Sequence, residues 1–127
     1  NNIKVESVPG ASAVLTSLVS SGLPTDRFIF EGFLPLKKGR KKRIQSMENE
    51  LATIIIYESP KRLIRTLRHL NEILGNRPAV IARELTKIHE EYIRGTLMDL
   101  QIHFNKISPK GECVILIGKN DENVYFD

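Results

Sequence analysis

The 127-residue sequence predicts an α/β fold, with a mixed, partly parallel sheet flanked by helices. Three apolar, strand-like runs at 28–34, 53–57 and 79–82 alternate with two stretches of helical periodicity. A strand, a helix and a second strand in one sheet usually form a right-handed crossover between parallel strands. The two crossovers therefore predict three strands that run in the same direction.

Composition favours a globular chain, with 41% hydrophobic and 27% charged residues and a net charge of +4. The longest apolar runs fall short of the ~18 residues of a membrane helix, and no leader pattern is legible. We therefore expect a cytoplasmic protein with no membrane partner. Cys113 is the only cysteine, which excludes an internal disulfide and a thiolate zinc site, so we predict a buried thiol and no bound metal.

The amphipathic patterns and turn signals define the remaining elements. The helix at 11–21 contains no charged residue, so we expect it to pack between two layers or against a domain outside this sequence. The next helix has Ile44, Met47 and Leu51 on its buried stripe, and the third is predicted to begin with Ser59 as N-cap and Pro60 as its first residue. In chain order we predict strand 3–8, helix 11–21, strand 28–34, the helix that carries Ile44, Met47 and Leu51, strand 53–57, helix 59–74, strand 78–83, strand 91–94, helix 96–104 and strand 112–118.

Three polar segments directly follow the predicted parallel strands. They are the basic run at 37–43, the corner at 58–62 and the charged stretch at 83–91. The carboxyl ends of parallel strands lie along one edge of a sheet, and ligands bind at that edge. We therefore expect the three segments to line one rim. A solvated surface with incidental ion pairs is the alternative.

The first two segments have the cations that a phosphate backbone requires. The run at 37–43 holds six basic residues in seven, although a solvated face or a nuclear-import signal has the same composition. Lys61 and Arg62 are predicted in a first helical turn, where free amides favour anions. The alternative there is a surface turn in which Glu58 neutralises Arg62. The candidate phosphate contacts are Lys37, Lys38, Arg40, Lys41, Lys42, Arg43, Lys61 and Arg62.

Other chemistry is not legible from the residues alone. His89, Glu90 and Glu91 have metal-binding atoms, but ligands so close in sequence rarely share one coordination geometry. The sequence has no phosphate-cradling glycine loop and no recognisable Ser-His-Asp arrangement. The residues therefore indicate a polyanion-binding rim without defining a reaction.

Five blocks, in the right order, carry a resemblance to a known family: 8–13 (VPGASA), 22–28 (GLPTDRF), 30–35 (FEGFLP), 57–59 (YES) and 82–87 (ARELTK). They resemble the bacterial small-subunit ribosomal RNA 2′-O-ribose methyltransferase I family of the tetrapyrrole methylase superfamily. The resemblance runs from about residue 5 to 118. It implies two α/β domains with S-adenosylmethionine between them, and the family's first domain is absent from this sequence. Residues 1–24 then match the last strand and linking helix of that domain, 25–118 form the carboxyl-terminal domain, and 119–127 form a fraying tail.

The resemblance also implies site residues. Glu58 and Glu84 become candidate proton acceptors or hydroxyl-orienting groups, and Lys87 a candidate for lowering the pKa of the ribose hydroxyl. For Glu84, pairing with Arg83 or Lys87 is the alternative. The implied cofactor contacts are Pro9, Gly10, Ser12, Ala13, Tyr57, Ala82, Gly111 and Glu112.

The implied substrate is a cytidine ribose in small-subunit rRNA, naked or in the assembled subunit, and the basic residues would hold the rRNA backbone. The resemblance further implies a homodimer for the full-length protein and no activity for this fragment alone. Two other functions stay open, namely a non-catalytic nucleic-acid-binding module and one half of a small-molecule, tetrapyrrole-type methylase. The basic run at 37–43 would have no use in the latter.

Overall fold

The computed structural model describes residues 22–23, 27–86, 89–108 and 111–119, without the side chains of 84–86 and 89–90. The predicted strand 3–8, the helix 11–21 and nearly all of the tail at 119–127 lie outside this part of the chain. Among the described helices, none has the length and apolar character needed to cross a membrane.

The described strands form one mixed sheet in the order β1-β2-β5-β3-β4. β1 and β2 pair in parallel, β5 is antiparallel to both β2 and β3, and β4 is antiparallel to β3. β1, β2 and β3 therefore run in one direction, as predicted, with β5 inserted between the last two. The strands are β1 (Phe28–Phe33), β2 (Thr53–Glu58), β3 (Pro78–Thr86), β4 (His89–Thr96) and β5 (Cys113–Ile117).

Within the described residues, three helices cover one face of this sheet, which we call the helix face: α1 (Arg40–Gln45), α2 (Leu63–Leu74) and α3 (Leu97–Lys106). Their apolar stripes pack on alternate residues of the strands in one buried cluster. The helix α3 begins with a capping box in which Thr96 and Asp99 satisfy each other's backbone N–H groups. Residues that share this cluster include Ile44, Leu67, Leu70, Leu100 and Phe104 from the helices and Ile54, Ile56, Ile81 and Ile115 from the strands.

The opposite face of the sheet, the open face, has a second and smaller apolar cluster. Ile55, Val80 and Leu116 are fully buried in it, and Leu23 packs on them. No helix of the described ranges belongs to this cluster. Phe30 and Phe33 on β1 are 51% and 60% exposed.

Two details of the predicted helices are wrong. Leu51 is 71% exposed because α1 ends at Gln45 and the chain turns before β2, although Ile44 and Met47 are buried as expected. The second helix begins at Leu63 rather than at Ser59. Glu58 Oε1 accepts the Ser59 N–H, and the Ser59 hydroxyl forms no hydrogen bond with any described residue, so Ser59 closes a turn and does not cap a helix.

Candidate functional site at the carboxyl edge of the sheet

The carboxyl ends of β1, β2 and β3 lie at one edge of the sheet, the carboxyl edge, together with the start of β5. Two transverse rows of paired residues cross the sheet there. Because successive residues of a strand point to opposite faces, the rows lie back to back. The apolar row, on the open face, is Phe33, Tyr57, Val114, Ala82 and Tyr92. The charged row, on the helix face, is Glu58, Cys113, Arg83 and Glu91.

The apolar row brings together the described part of the predicted cofactor site. Tyr57 and Ala82 both pair with Val114, so only one strand separates them. Gly111 and Glu112 lead into β5 at the same edge, and the positive φ of Gly111 (74°) suits a residue without a side chain. The other predicted contacts, Pro9, Gly10, Ser12 and Ala13, lie outside the described residues.

Aromatic rings border this row. The Tyr57 ring makes edge-to-face contacts with Phe30 and Phe33, at centroid distances of 5.1 and 5.6 Å. Burial, and then the charge of Glu112, raise the pKa of Tyr57, so its hydroxyl stays protonated at neutral pH. At the other end, the Arg94 guanidinium lies 5.9 Å from the centre of the Tyr92 ring.

The predicted catalytic residue Glu58 points to the other face and is 4% exposed. Its carboxylate accepts hydrogen bonds from the Ser59 N–H (2.8 Å), from Arg62 Nε (3.1 Å) and from the Thr66 hydroxyl (2.6 Å). These three hydrogen bonds hold the carboxylate in one orientation. Glu58 therefore ties the end of β2 to α2.

Arg40 extends this arrangement into a buried polar network. Its guanidinium donates to Thr66 Oγ1 (2.7 Å), to His69 Nδ1 (3.1 Å) and to the Pro35 carbonyl (3.1 Å). Burial, and then Arg65, lower the pKa of Arg40. The prediction that Arg40 contacts phosphate needs correction, because its side chain is 5% exposed and its donors are used inside the protein. We call Glu58, Thr66, Arg40 and His69 the buried network.

The other predicted phosphate contacts lie at the surface. Two of them already have acidic partners: Arg43 is 3.2 Å from Glu31, and Arg62 is 3.1 Å from Glu58. Lys61 and Arg62 belong to the turn before α2, so the predicted anion site at a first helical turn is not formed. The exposed members of the set are Lys37, Lys38, Lys41, Lys42, Arg43 and Lys61.

Arg83 occupies the charged row next to Cys113. Its guanidinium binds the Glu91 carboxylate through Nε (2.8 Å) and Nη2 and lies 5.6 Å from the centre of the Phe104 ring. Arg83 therefore pairs across to β4. Glu84 lies next along β3, with its backbone opposite Glu90. The Glu84 side chain and all of Lys87 lie outside the described residues.

Thr66 and His69 are the site residues that the sequence did not indicate. They follow Arg62 at spacings of four and three, so the three residues share one face of the helical turns. In the sequence, the signal that could have identified them is the presence of polar residues within the apolar stripe of the second predicted helix. Thr66 is fully buried, and only the pairing with Glu58 and Arg40 explains a polar side chain there.

The chain is similar to curated methyltransferases over most of its length. A Thermotoga maritima protein named Ribosomal RNA small subunit methyltransferase I is 47% identical over 118 residues, which are 92% of this chain and 53% of that protein. A Synechocystis protein of the same name is 48% identical over 125 residues, or 96% of this chain and 45% of that protein. The chain thus spans about half the length of the curated relatives it matches.

Solved structures share the fold at low identity. The methyltransferase CobJ superposes with a TM-score of 0.62 at 19% identity, covering 97% of this chain and 61% of its own. The cobalt precorrin-4 methyltransferase CbiF gives a TM-score of 0.55 at 18% identity, covering 84% and 47%. The sequence profile of the Tetrapyrrole (Corrin/Porphyrin) Methylases matches residues 1–101. The chain belongs to the tetrapyrrole methylase family.

Proposed function

We propose that this chain is the carboxyl-terminal part of an S-adenosylmethionine-dependent methyltransferase that methylates the 2′-hydroxyl of a cytidine in small-subunit rRNA. The observation that supports this most directly is that the apolar row crosses the sheet where β1 and β2 end, and that the exposed cations follow these two strands in the chain. The relatives named Ribosomal RNA small subunit methyltransferase I add support for the substrate class. In this proposal, residues 1–24 belong with a preceding domain and 25–118 form the second domain.

The apolar row suits the adenosine part of S-adenosylmethionine. Val114 and Ala82 provide a small-residue floor between the rings of Tyr57 and Tyr92. Those two rings stand on strands three spacings apart, which is about 14 Å and wide enough for a planar base. When bound, the cofactor supplies the methyl group. We propose that Tyr57, Ala82, Gly111 and Glu112 hold it from this domain and that Pro9, Gly10, Ser12 and Ala13 complete the site.

A 2′-hydroxyl must lose its proton as it becomes a nucleophile, so a nearby acceptor is needed. We propose Glu84, two positions beyond Ala82 along β3, as the acceptor or hydroxyl-orienting group, with Lys87 as the cation that lowers the hydroxyl pKa. Glu58 has three donors on the helix face. We therefore propose that it acts by holding the end of β2, next to Tyr57, in place.

The exposed cations supply the electrostatic part of RNA binding. Lys37, Lys38, Lys41, Lys42 and Lys61 are exposed in the segments that follow β1 and β2, together with Arg43 and the partly exposed Arg62. We propose that they contact rRNA phosphates without reading sequence, which makes the binding salt-dependent.

The test is methyl transfer by the full-length protein that carries this chain. Small ribosomal subunits are incubated with tritiated S-adenosylmethionine, and the rRNA is then digested to nucleosides. We expect label in 2′-O-methylcytidine and about tenfold or greater loss with Glu84→Gln, while Leu51→Ala, at an exposed position just before β2 and so at the opposite edge, keeps wild-type activity. RNA binding with no methyl transfer would favour the non-catalytic module instead. Label on a base rather than on ribose would refute the proposed position.

A further inference from the structure

A groove of ≈ 550 Å³ lies between α1 and α2, beside the carboxyl edge. Leu36, Ile44 and Ile73 provide apolar walls, and Lys37, Lys41 and Arg65 provide cations. We propose that this groove binds one nucleotide of a single-stranded RNA segment, with the base on the apolar wall and the adjoining phosphates at the cations. This inference rests on the proposed function, since it names a subsite for the same RNA.

Two hydrogen bonds define the relative direction of the two helices that form the groove. Arg65 Nη2 donates to the Leu36 carbonyl (3.4 Å), and Arg40 donates to His69 one helical turn further along α2. α1 and α2 therefore run side by side in the same direction. Lys37 and Arg65 mark one end of the groove, and Glu72 and Ile73 mark the other.

This polarity separates a phosphate end from a base end. The carboxylate of Glu72 repels a phosphate, but it is an acceptor for the exocyclic amino group of a base. The 3.4 Å bond of Arg65 is near the upper distance limit for a hydrogen bond, so most of its five donors stay available to a phosphate. Both cations at the first end are exposed.

The buried network holds the groove in shape. Arg40 and His69 line it, and each is fixed by the hydrogen bond from Arg40 Nε to His69 Nδ1. That bond leaves Nε2 as the proton-bearing atom of a neutral His69 ring. Through Thr66, the same network reaches Glu58 beside Tyr57, so the groove is rigidly connected to the proposed cofactor row. A preformed site costs less ordering entropy on binding.

Single-stranded RNA fits this combination better than an acidic peptide does. Proteins bind single strands with a cationic path for the backbone and apolar surfaces on which bases lie. The groove has both, and it adjoins Lys38 and Lys42 on the same basic run. An acidic peptide would use the cations but leave Leu36, which is 55% exposed, without a function in binding.

The probe is a fluorescein-labelled ten-nucleotide cytidine-uridine RNA, compared with the same oligomer made of abasic nucleotides. Binding to the 127-residue chain is followed by fluorescence anisotropy. We expect the abasic oligomer to bind about fivefold more weakly, the lower end of the effect of losing one stacked base. Leu36→Ser should abolish that difference and leave the salt dependence unchanged.

Arg65→Ala should act on the phosphate end. The slope of log K against log salt is expected to fall by about 0.7, the value for one phosphate contact on a single strand. Arg27→Ala removes an equal charge from an exposed site directly before β1, at the opposite edge of the sheet, and should leave affinity and slope unchanged. Leu36 and Arg65 are exposed, so neither substitution removes a buried contact. Circular dichroism is used to check that each variant is folded.

Equal affinity for the intact and the abasic oligomer would overturn the base site. A ten-residue polyglutamate that competes as well as the RNA would overturn it in favour of a peptide groove. Methyl transfer to small subunits by the wild-type full-length protein is measured in parallel. If that activity is present and the groove variants bind RNA normally, this inference alone fails. If the wild-type full-length protein shows no methyl transfer, the proposed function fails, and with it the inference that rests on it.

Discussion

The hydroxyl of Thr66 connects the two charged members of the buried network, and its removal gives the sharpest prediction about the fold. It donates to Glu58 (2.6 Å) and accepts from Arg40 (2.7 Å), and the side chain is fully buried. Thr66→Val keeps the shape and nearly the same helix propensity but removes both hydrogen bonds. Each bond to a charged group contributes about 1.5–3 kcal/mol.

Arg40 and Glu58 each keep two other hydrogen bonds, so the loss should lie at the low end of the sum, about 3 kcal/mol in the free energy of unfolding. Thr66→Ser keeps the hydroxyl and removes one buried methyl group, which costs about 1 kcal/mol. Urea denaturation of the 127-residue chain, followed by circular dichroism, measures both. A Thr66→Val variant within 0.5 kcal/mol of wild type, or a Ser variant equally destabilised, would refute the network as a source of stability.

Three further predictions concern the described core. Burial, and then the nearby guanidiniums with Arg40 first, lower the pKa of His69 below its ordinary value of 6.5. The unfolded chain therefore binds the proton more tightly than the folded chain does. As a result, the free energy of unfolding falls as the pH drops below 6.5. Urea denaturation between pH 7.5 and 5.5 should show that His69→Gln loses less unfolding free energy than the wild type does. The same dependence of unfolding free energy on pH in both proteins would contradict this. Burial raises the pKa of the Cys113 thiol to about 11. Iodoacetamide at pH 8 should therefore label this thiol far faster in urea than in the native protein. Equal labelling rates in the two states would exclude a buried thiol. Gly95→Ala places a Cβ 2.9 Å from Asp99 Cβ, so it should displace the Asp99 side chain that caps α3. We expect a loss of about 1–2 kcal/mol in the free energy of unfolding. An unchanged melting temperature would show instead that Asp99 can move aside.

The sequence predicted the elements well because each apolar run is bounded by turn residues or charges. The predicted common direction of β1, β2 and β3 is confirmed. The charged stretch at 83–91 was expected to follow the third strand, but residues 83–86 belong to β3 and residues 89–91 to β4. The insertion of β5 between β2 and β3 is a long-range choice that no local pattern encodes. All five residues of β5 are buried, which is typical of a central strand.

The site was less predictable, because adjacent residues with the same charge occupy different environments. Arg40 belongs to a basic run, yet it is buried, and its neighbours Lys41 and Lys42 are exposed. The spacing of four between Arg40 and the buried Ile44 places both on the inner side of α1, and this was the available signal. The Ser59-Pro60 cap was overridden by Glu58, whose carboxylate takes the Ser59 N–H.

The apolar row as the cofactor site is the central claim, and calorimetric titration of S-adenosylmethionine into the full-length protein tests it most directly. Ala82→Leu fills the floor between Tyr57 and Tyr92, and Leu51→Ala is a control at an exposed apolar position. We expect wild-type binding for the control and a loss of about tenfold or more for Ala82→Leu, because an overfilled site costs about 1–3 kcal/mol. Unchanged affinity in a folded Ala82→Leu variant, or no binding by the wild-type protein, would contradict the account.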